Sequence, residues 1–416
     1  MMMISRLRGA ARAAGRPVRR WTLLLACVAA PAAAAATVDV NARSAWGIED
    51  AFRRAGVNGT VNLRQDLRID RPAVLRTAGV TFRGNGFRLF EGPSKPDMLR
   101  LEAAGIRLEG IEFVAQPSLP TGDRFRAMVV PGAENLTISG CTFRNGSGGI
   151  RKVGESPRGL RVLGNTFWSV PTAIAWNRDV IRIPGTNPVG RAVDGGRFVI
   201  GNNTIHNPSI AGITIDAGND AGTAPNGGKP LAGNGDPRFP QAMNPLRYQM
   251  RGRTTGFFVP GAGRSWIGGN RVLGVGGFGI ALARVSGIDV VNNVVTVAKR
   301  GKPYRRGIHL ENRTRGVDVR DNRVNVLGGS GFPSAYGMVT FTDYGNDAAY
   351  ANGVRAVRFI NNRAWGGGRG YVGRGFSGIA FERNRAGSGV RPYDFANAPG
   401  GSSAFSVSRD NAPFNP

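Results

Sequence analysis

One motif returns along most of the chain. A short hydrophobic strand is followed by Gly or Asn, then usually Asn, one further residue and another hydrophobe. It reads Leu108-Glu-Gly110-Ile-Glu-Phe113, Ile138-Ser-Gly140-Cys141-Thr-Phe143 and Val162-Leu-Gly164-Asn165-Thr-Phe167. It continues as Ile200-Gly-Asn202-Asn203-Thr-Ile205, Ile267-Gly-Gly269-Asn270-Arg-Val272 and Val291-Asn292-Asn293-Val-Val295. The later copies are Val319-Arg-Asp321-Asn322-Arg-Val324, Ile360-Asn361-Asn362-Arg-Ala364 and Phe381-Glu-Arg383-Asn384-Arg-Ala386. Successive Asn positions, with Cys141 standing for the first, are 24, 38, 67, 23, 29, 40 and 22 residues apart. A base period of 22–24 residues with β texture throughout, lengthened by insertions, specifies a solenoid.

The Asn has a physical reason to recur. Its amide can bond the same Asn one coil above and below, and Asn tolerates the left-handed backbone of a sharp bend. A second strand follows each turn: Gly149-Ile150-Arg151, Ala173-Ile174-Ala175-Trp176, Gly212-Ile213-Thr214-Ile215-Asp216, Gly279-Ile280-Ala281-Leu282-Ala283 and Gly307-Ile308-His309-Leu310-Glu311. Its Ile and Leu residues alternate inward. Long insertions at 178–196, 217–262 and 342–353 all follow this strand, as loops lining a cleft would. Residues 44–55 form the one clear amphipathic helix, with Ser44 as N-cap and Trp46, Ile48, Phe52 and Ala55 on its apolar side.

The 63 glycines of the 416-residue chain mark coil corners, so a length that allows two or three domains reads as one all-β solenoid. Two cysteines, Cys27 and Cys141, exclude a disulfide framework. Residues 1–36 hold six Arg, no acid and a short apolar run before Thr37, the pattern of a secretory signal peptide. The chain from Thr37 onward carries 49 bases against 27 acids. Arg271, Arg323, Arg363 and Arg385 sit at repeat turns, where a solvated surface accounts for them. Arg151, Lys152 and the cluster Lys299-Arg300-Gly-Lys302-Pro-Tyr304-Arg305-Arg306 point to an anionic partner.

These copies resemble the right-handed parallel β-helix of the pectin-lyase-like superfamily. With the signal peptide at 1–36 set aside, the resemblance implies an N-terminal capping helix region at 37–59 and a β-helix over 60–396 that carries the insertion 217–262; the Gly/Ser/Asn/Pro-rich segment 397–416 reads as a loose tail. The resemblance also implies a protein that acts on carbohydrate. Signatures of the superfamily's polygalacturonases and mannuronan epimerases are reduced here to Asn219-Asp220, Gly307-Ile308-His309 and Asp236-Pro237-Arg238.

Stacking the second strands puts Arg151, Ala175, Thr214, Ala281 and His309 in one outward column. Asn177, Asp216, Ala283 and Glu311 fall in the next, continued by Thr342 or Asp343. Small Ala281 and Ala283 would leave a gap on a groove floor. Such a patch suits β-elimination on an anionic polysaccharide, ahead of hydrolysis or epimerisation. His309, Arg306 and Lys299 are the candidate base or charge neutralisers, and Asp216 and Glu311 the acid, base or Ca²⁺ ligands. Arg151, Asn177, Lys302, Tyr304 and Arg305 are candidate sugar contacts. The alternative is an exported glycan-binding or adhesin-like β-helix without catalysis. A monomer without a stable membrane insertion is expected. Nucleic acid is not the expected partner, because no basic helix or aromatic platform accompanies the charge.

Overall fold

A computed structural model describes residues 35–40, 44–94, 97–116, 127–146, 148–151, 158–168, 172–176, 192–194, 197–208, 211–216, 257–259, 264–283, 285–298, 305–311, 314–327, 336–341, 354–366, 369–373, 376–387, 391–395, 405–409 and 412–413. The leader expected at 1–36 falls almost wholly outside them.

Each repeat is one coil. Its strands enter three long sheets of 13, 12 and 11 described strands, here called A, B and C, and every pairing is parallel. The chain runs from A through the Asn turn to B, then to C and back to A. A parallel neighbour one coil away is the only way such short strands bury both edges. A separate two-stranded ladder joins Ala192–Asp194 to Phe257–Val259, the ends of two insertions. The segment 397–416, expected as a loose tail, supplies Phe405–Arg409 to sheet A and Ala412–Pro413 to sheet B. Phe405 and Val407 alternate within it, a two-residue pattern that the flanking Gly, Ser and Pro obscure.

Helix α1 spans Ala45–Ala55, with an extended Ser44 before it and Gly56 after it at φ +70°. Ala45, Ile48, Ala51, Phe52 and Ala55 are buried, with the Phe52 ring edge-on to Phe82 at 5.6 Å. Trp46 does not join this face. It is 69% exposed, and the Arg71 guanidinium lies over its ring at 3.8 Å. Arg71 also pairs with both oxygens of Glu49, at 2.9 and 2.7 Å, and Val74 donates its backbone N–H to Glu49 at 2.7 Å. These contacts tie the helix to the strand Ala73–Leu75. They hold the Glu49 carboxyl below its usual range, the Arg71 bond contributing most.

The turn between A and B divides its work between two adjacent residues. The left-handed conformation belongs to the first: Gly110, Gly140, Gly164, Asn202, Gly269, Asn292, Asp321, Asn361 and Arg383, all with φ between 52° and 65°. The second is buried, and from residue 165 on it is Asn. Asn165, Asn203, Asn270, Asn293, Asn322, Asn362 and Asn384 are 0–1% exposed. Each Oδ1 accepts the backbone N–H of the preceding coil's residue and, from Asn203 on, the preceding Asn's Nδ2, as Asn293 does for Asn270 at 3.0 and 2.9 Å. Each Nδ2 also donates to a carbonyl of the preceding coil, as Asn293 does to Ile267 at 3.0 Å. The ladder and the bend, expected of one Asn, are thus separate tasks.

The core changes along the chain. The inward column of sheet B runs Leu89, Phe113, Phe143, Phe167, Ile205, Val272, Val295, Val324, Ala364 and Ala386. The three Phe rings stack at 4.9 and 4.6 Å. Where this column narrows to Val, sheet C places Gly212, Gly279 and Gly307 against it. A Cβ on Gly307 would lie 2.1 Å from Val324 Cγ1 and 2.5 Å from the Gly337 carbonyl. Where the column reaches Ala364, Tyr371 of sheet C fills the space and donates its hydroxyl to the Asn362 carbonyl at 3.0 Å.

Candidate functional site

The candidate residues stand on the outer face of sheet C, and backbone register decides which share a column. Arg151, Ala175, Thr214, Ala281, His309 and Val339 pair in series. Asp216 pairs with Ala283, Ala283 with Glu311, and Glu311 with Phe341. Asp216 and Glu311 are therefore two coils apart, about 10 Å by strand spacing. Phe341, not Thr342 or Asp343, continues their column, because the strand Arg306–Glu311 pairs with Tyr336–Phe341 residue for residue. The side chains of Asp216 and Glu311 lie outside what is described, as do Asn177, Lys299, Lys302 and Tyr304 entirely.

The inner column of this face is closed over. Thr214, Ala281 and His309 are 6%, 0% and 1% exposed, where an open floor of small residues is expected from the sequence. Two described neighbours lie against His309. The Phe278 ring, one coil back, stacks on the imidazole at 5.2 Å and 30°. Arg306 Nη1 lies 3.0 Å from its ring nitrogens. A guanidinium only donates, so a ring nitrogen that bonds it is the acceptor. Arg306 also sits over Phe278 at 5.7 Å, which completes a compact cation–imidazole–aromatic group.

Arg305 points elsewhere. It is 2% exposed and donates to the Ala298 carbonyl, and desolvation lowers its pKa. Arg151 is half-buried at the start of the His309 column. Sequence reasoning misses Phe278, because a Phe in a core-rich repeat reads as filler. Its pairing with Arg306 across one coil is the signal that places it outside.

Other carboxylates are engaged between coils. Asp66 pairs with Arg88 at 2.8 Å, Glu102 with Arg76 at 3.0 Å and Glu109 with Arg83 at 3.3 Å. Asp289 and Asp318 meet Arg264 at 2.6 and 3.5 Å, and Asp318 also meets Arg358. Among the described residues, no group of three His, Cys, Asp or Glu side chains is placed to hold a metal ion. His206 lies on a different face, the outer side of sheet B. It stacks on Trp168 at 3.7 Å and 2°, and burial first, then Arg271, lowers its pKa.

No family model matches the chain, and no curated protein is similar to it in sequence. Solved structures are similar in fold. A mutant tailspike protein of E. coli bacteriophage HK620 in complex with pentasaccharide aligns with a TM-score of 0.51 at 13% identity, over 90% of this chain and 63% of that one. A second such tailspike mutant gives 0.50 at 14% identity, over 90% and 63%. The periplasmic alginate epimerase AlgG gives 0.48 at 11% identity, over 86% and 70%. The chain thus spans under two thirds of the tailspikes' length. Coil topology and the tailspike likeness together define the fold as a right-handed parallel β-helix.

Proposed function

We propose that this chain is an exported, carbohydrate-active β-helix protein that engages an anionic polysaccharide on the outer face of sheet C. The reaction proposed is β-elimination at a uronate. One observation carries the reading: Arg306, His309 and the backbone positions of Asp216 and Glu311 share that face within two coils. The tailspikes of the same fold are seen with a pentasaccharide, which supports a sugar ligand. The basic, apolar leader supports export. Among the described residues, no helix is long and apolar enough to cross a membrane.

In this reaction a base removes the proton next to the uronate carboxylate. The C4–O4 bond then breaks, a C4–C5 double bond forms, and the leaving oxygen takes up a proton. Arg306 is the group suited to neutralise the carboxylate and the charge that develops on it. With one ring nitrogen accepting from Arg306, His309 carries its proton on the other and can give it to the leaving oxygen; to act as base it must first be released by Arg306 as that guanidinium turns to the carboxylate. Asp216 and Glu311 complete the acid–base set, or hold Ca²⁺ through carboxylate oxygens. A second reading, glycan binding without turnover, is favoured by the 1% exposure of His309 and its engagement by Arg306 and Phe278.

The test is incubation of the protein with alginate, pectate, hyaluronan and heparin, with and without Ca²⁺. Ultraviolet absorbance of unsaturated ends and total reducing ends are followed separately. Unsaturated product, abolished in Arg306→Gln, supports the lyase. Reducing ends without unsaturation mean hydrolysis. Binding without product leaves the second reading.

A further inference from the structure

From sequence the arginines after the ladder Asn read as solvated residues at turns of the repeat. The structure puts them in a row. Arg323 pairs directly with Arg363, and Arg363 with Arg385, on three successive coils at the start of the sheet B strands. Arg271 stands in the same column two coils earlier, with Val294 between. All four are exposed. Neighbouring strands lie about 4.8 Å apart, and like charges directly opposite each other destabilise a sheet.

The earlier coils of this column avoid the arrangement. In the same column of the earlier coils stand Glu112, Thr142, Thr166 and Thr204. Where Arg88 begins that column's charged part, Asp66 on the adjacent coil takes its guanidinium at 2.8 Å. In the late coils no such partner is supplied. Among the described residues, no ion pair or side-chain hydrogen bond involves the guanidinium of Arg271, Arg323, Arg363 or Arg385. The nearby Asp321 accepts instead from the Asn361 amide at 2.7 Å. Arg383 adds to the row at a conformational cost. Its φ is +52°, at a position where the eight preceding coils from Gly110 use only Gly, Asn or Asp.

We propose that this arginine row on the outer face of sheet B is a second binding surface, for the charged groups of an anionic polysaccharide lying along the coil axis. The proposal rests on the polysaccharide reading above and adds a site remote from sheet C. A row of single charges, one per coil, matches a polymer with one anionic group per sugar. Asn325 and Thr296, two residues along from the row on the same face, offer an amide and a hydroxyl to sugar hydroxyls. Trp365 ends that flanking column. A nucleic acid strand fits less well. Its bases need open aromatic faces, whereas the exposed Trp168, in the earlier coils of the flanking column, has its ring stacked on His206.

The experiment compares the full chain with Arg323→Gln/Arg363→Gln/Arg385→Gln and with Arg76→Gln/Arg83→Gln/Arg88→Gln, which removes equal charge from paired positions. Binding to polygalacturonate, alginate, dextran and a single-stranded DNA oligomer is measured by calorimetry at fixed ionic strength, and folding by thermal melting. The expected result is a loss of about tenfold or more in polyuronate affinity for the row variant, with a flatter salt dependence and a melting temperature no lower. The control should lose less than about twofold, and dextran should not bind. Equal losses in both variants, preference for DNA, or no polyuronate binding by the parent chain overturns the proposal. If the parent binds and turns over polyuronate and the row variant does so equally well, the inference falls while the sheet C reading stands.

Discussion

In the coils before Gly164 the buried turn position holds Ile111 and Cys141; in those after it, the same position holds Asn seven times. The cores differ in step. The early coils stack Phe113, Phe143 and Phe167 on sheet B, while the late coils set Val272, Val295 and Val324 against glycines of sheet C. Surface charge follows the same division. Early arginines are paired from coil to coil, and the late row is not. One backbone path is thus stabilised by aromatic packing at one end. At the other a buried polar ladder is added to a second aromatic cluster, Phe359, Tyr371 and Phe381, with stability given up on the surface.

The largest effect expected is from Phe143→Ala. Phe143 is fully buried between two rings, and its loss should cost about 4 kcal/mol in denaturant unfolding. A value below about 1 kcal/mol would mean that the early coils do not depend on the stack. Gly307→Ala comes next, at about 3 kcal/mol, since its Cβ meets a backbone carbonyl that cannot rotate away. The same change at Gly86, with open space around its Cβ, tests φ +83° alone and should cost less. Asn293→Ala should cost about 2 kcal/mol, because it orphans the backbone N–H of Asn270 and removes one of the two acceptors of its Nδ2.

Acid should separate the two regions further. Glu49 has its pKa depressed, chiefly by Arg71, so its contribution is present above the ordinary carboxylate pKa and is lost as pH falls through the lowered value. The ladder amides do not titrate. In the described late coils burial raises the Asp318 carboxyl but Arg358 and Arg264 hold it low, against Asp39, Glu49, Asp50 and Asp66 held low around α1 and the first coils. Helix α1 should therefore fray in acid before the late coils open, an order of events that hydrogen exchange can resolve. Simultaneous loss would show that the cap and the ladder unfold together. The smallest effect is that of Cys141→Asn, which should change stability by less than about 1 kcal/mol while extending the ladder by one rung. Burial pushes the Cys141 thiol up to about 12, so it should stay unreactive to thiol reagents until the coil unfolds.

The repeat is legible in the sequence because each turn must place a left-handed residue and a buried amide side by side, and few residues do either. Register on sheet C follows from it, since strands after a fixed turn stack in phase. That is why Arg151, Thr214 and His309 fall in one column as expected. The burial of His309 is not legible. Phe278 and Arg306 lie against its ring, and their place outside the core arises where each sheet C strand turns its Gly toward the valines. The exposure of Trp46 escapes for a related reason: helical spacing permits it inside, but Arg71 offers its ring a partner outside. The arginine row is visible only once strand pairing aligns residues 22 and 40 apart in sequence.

The Asn ladder also has a direction. Each Oδ1 reaches back to the previous coil, so each rung supplies what its predecessor lacks and leaves its own backbone N–H for its successor. At the near end Cys141 opens the series without an amide, its sulfur approached by the backbone of Ile111 and Gly110 and its N–H received by Asn165 at 2.9 Å. Growth from this end is self-correcting, because every coil added during synthesis closes a buried polar group left open by the last. Truncation is the reverse case. A chain cut between any two rungs ends on an amide with no receiver, which gives incomplete products a reason to remain unfolded and be degraded.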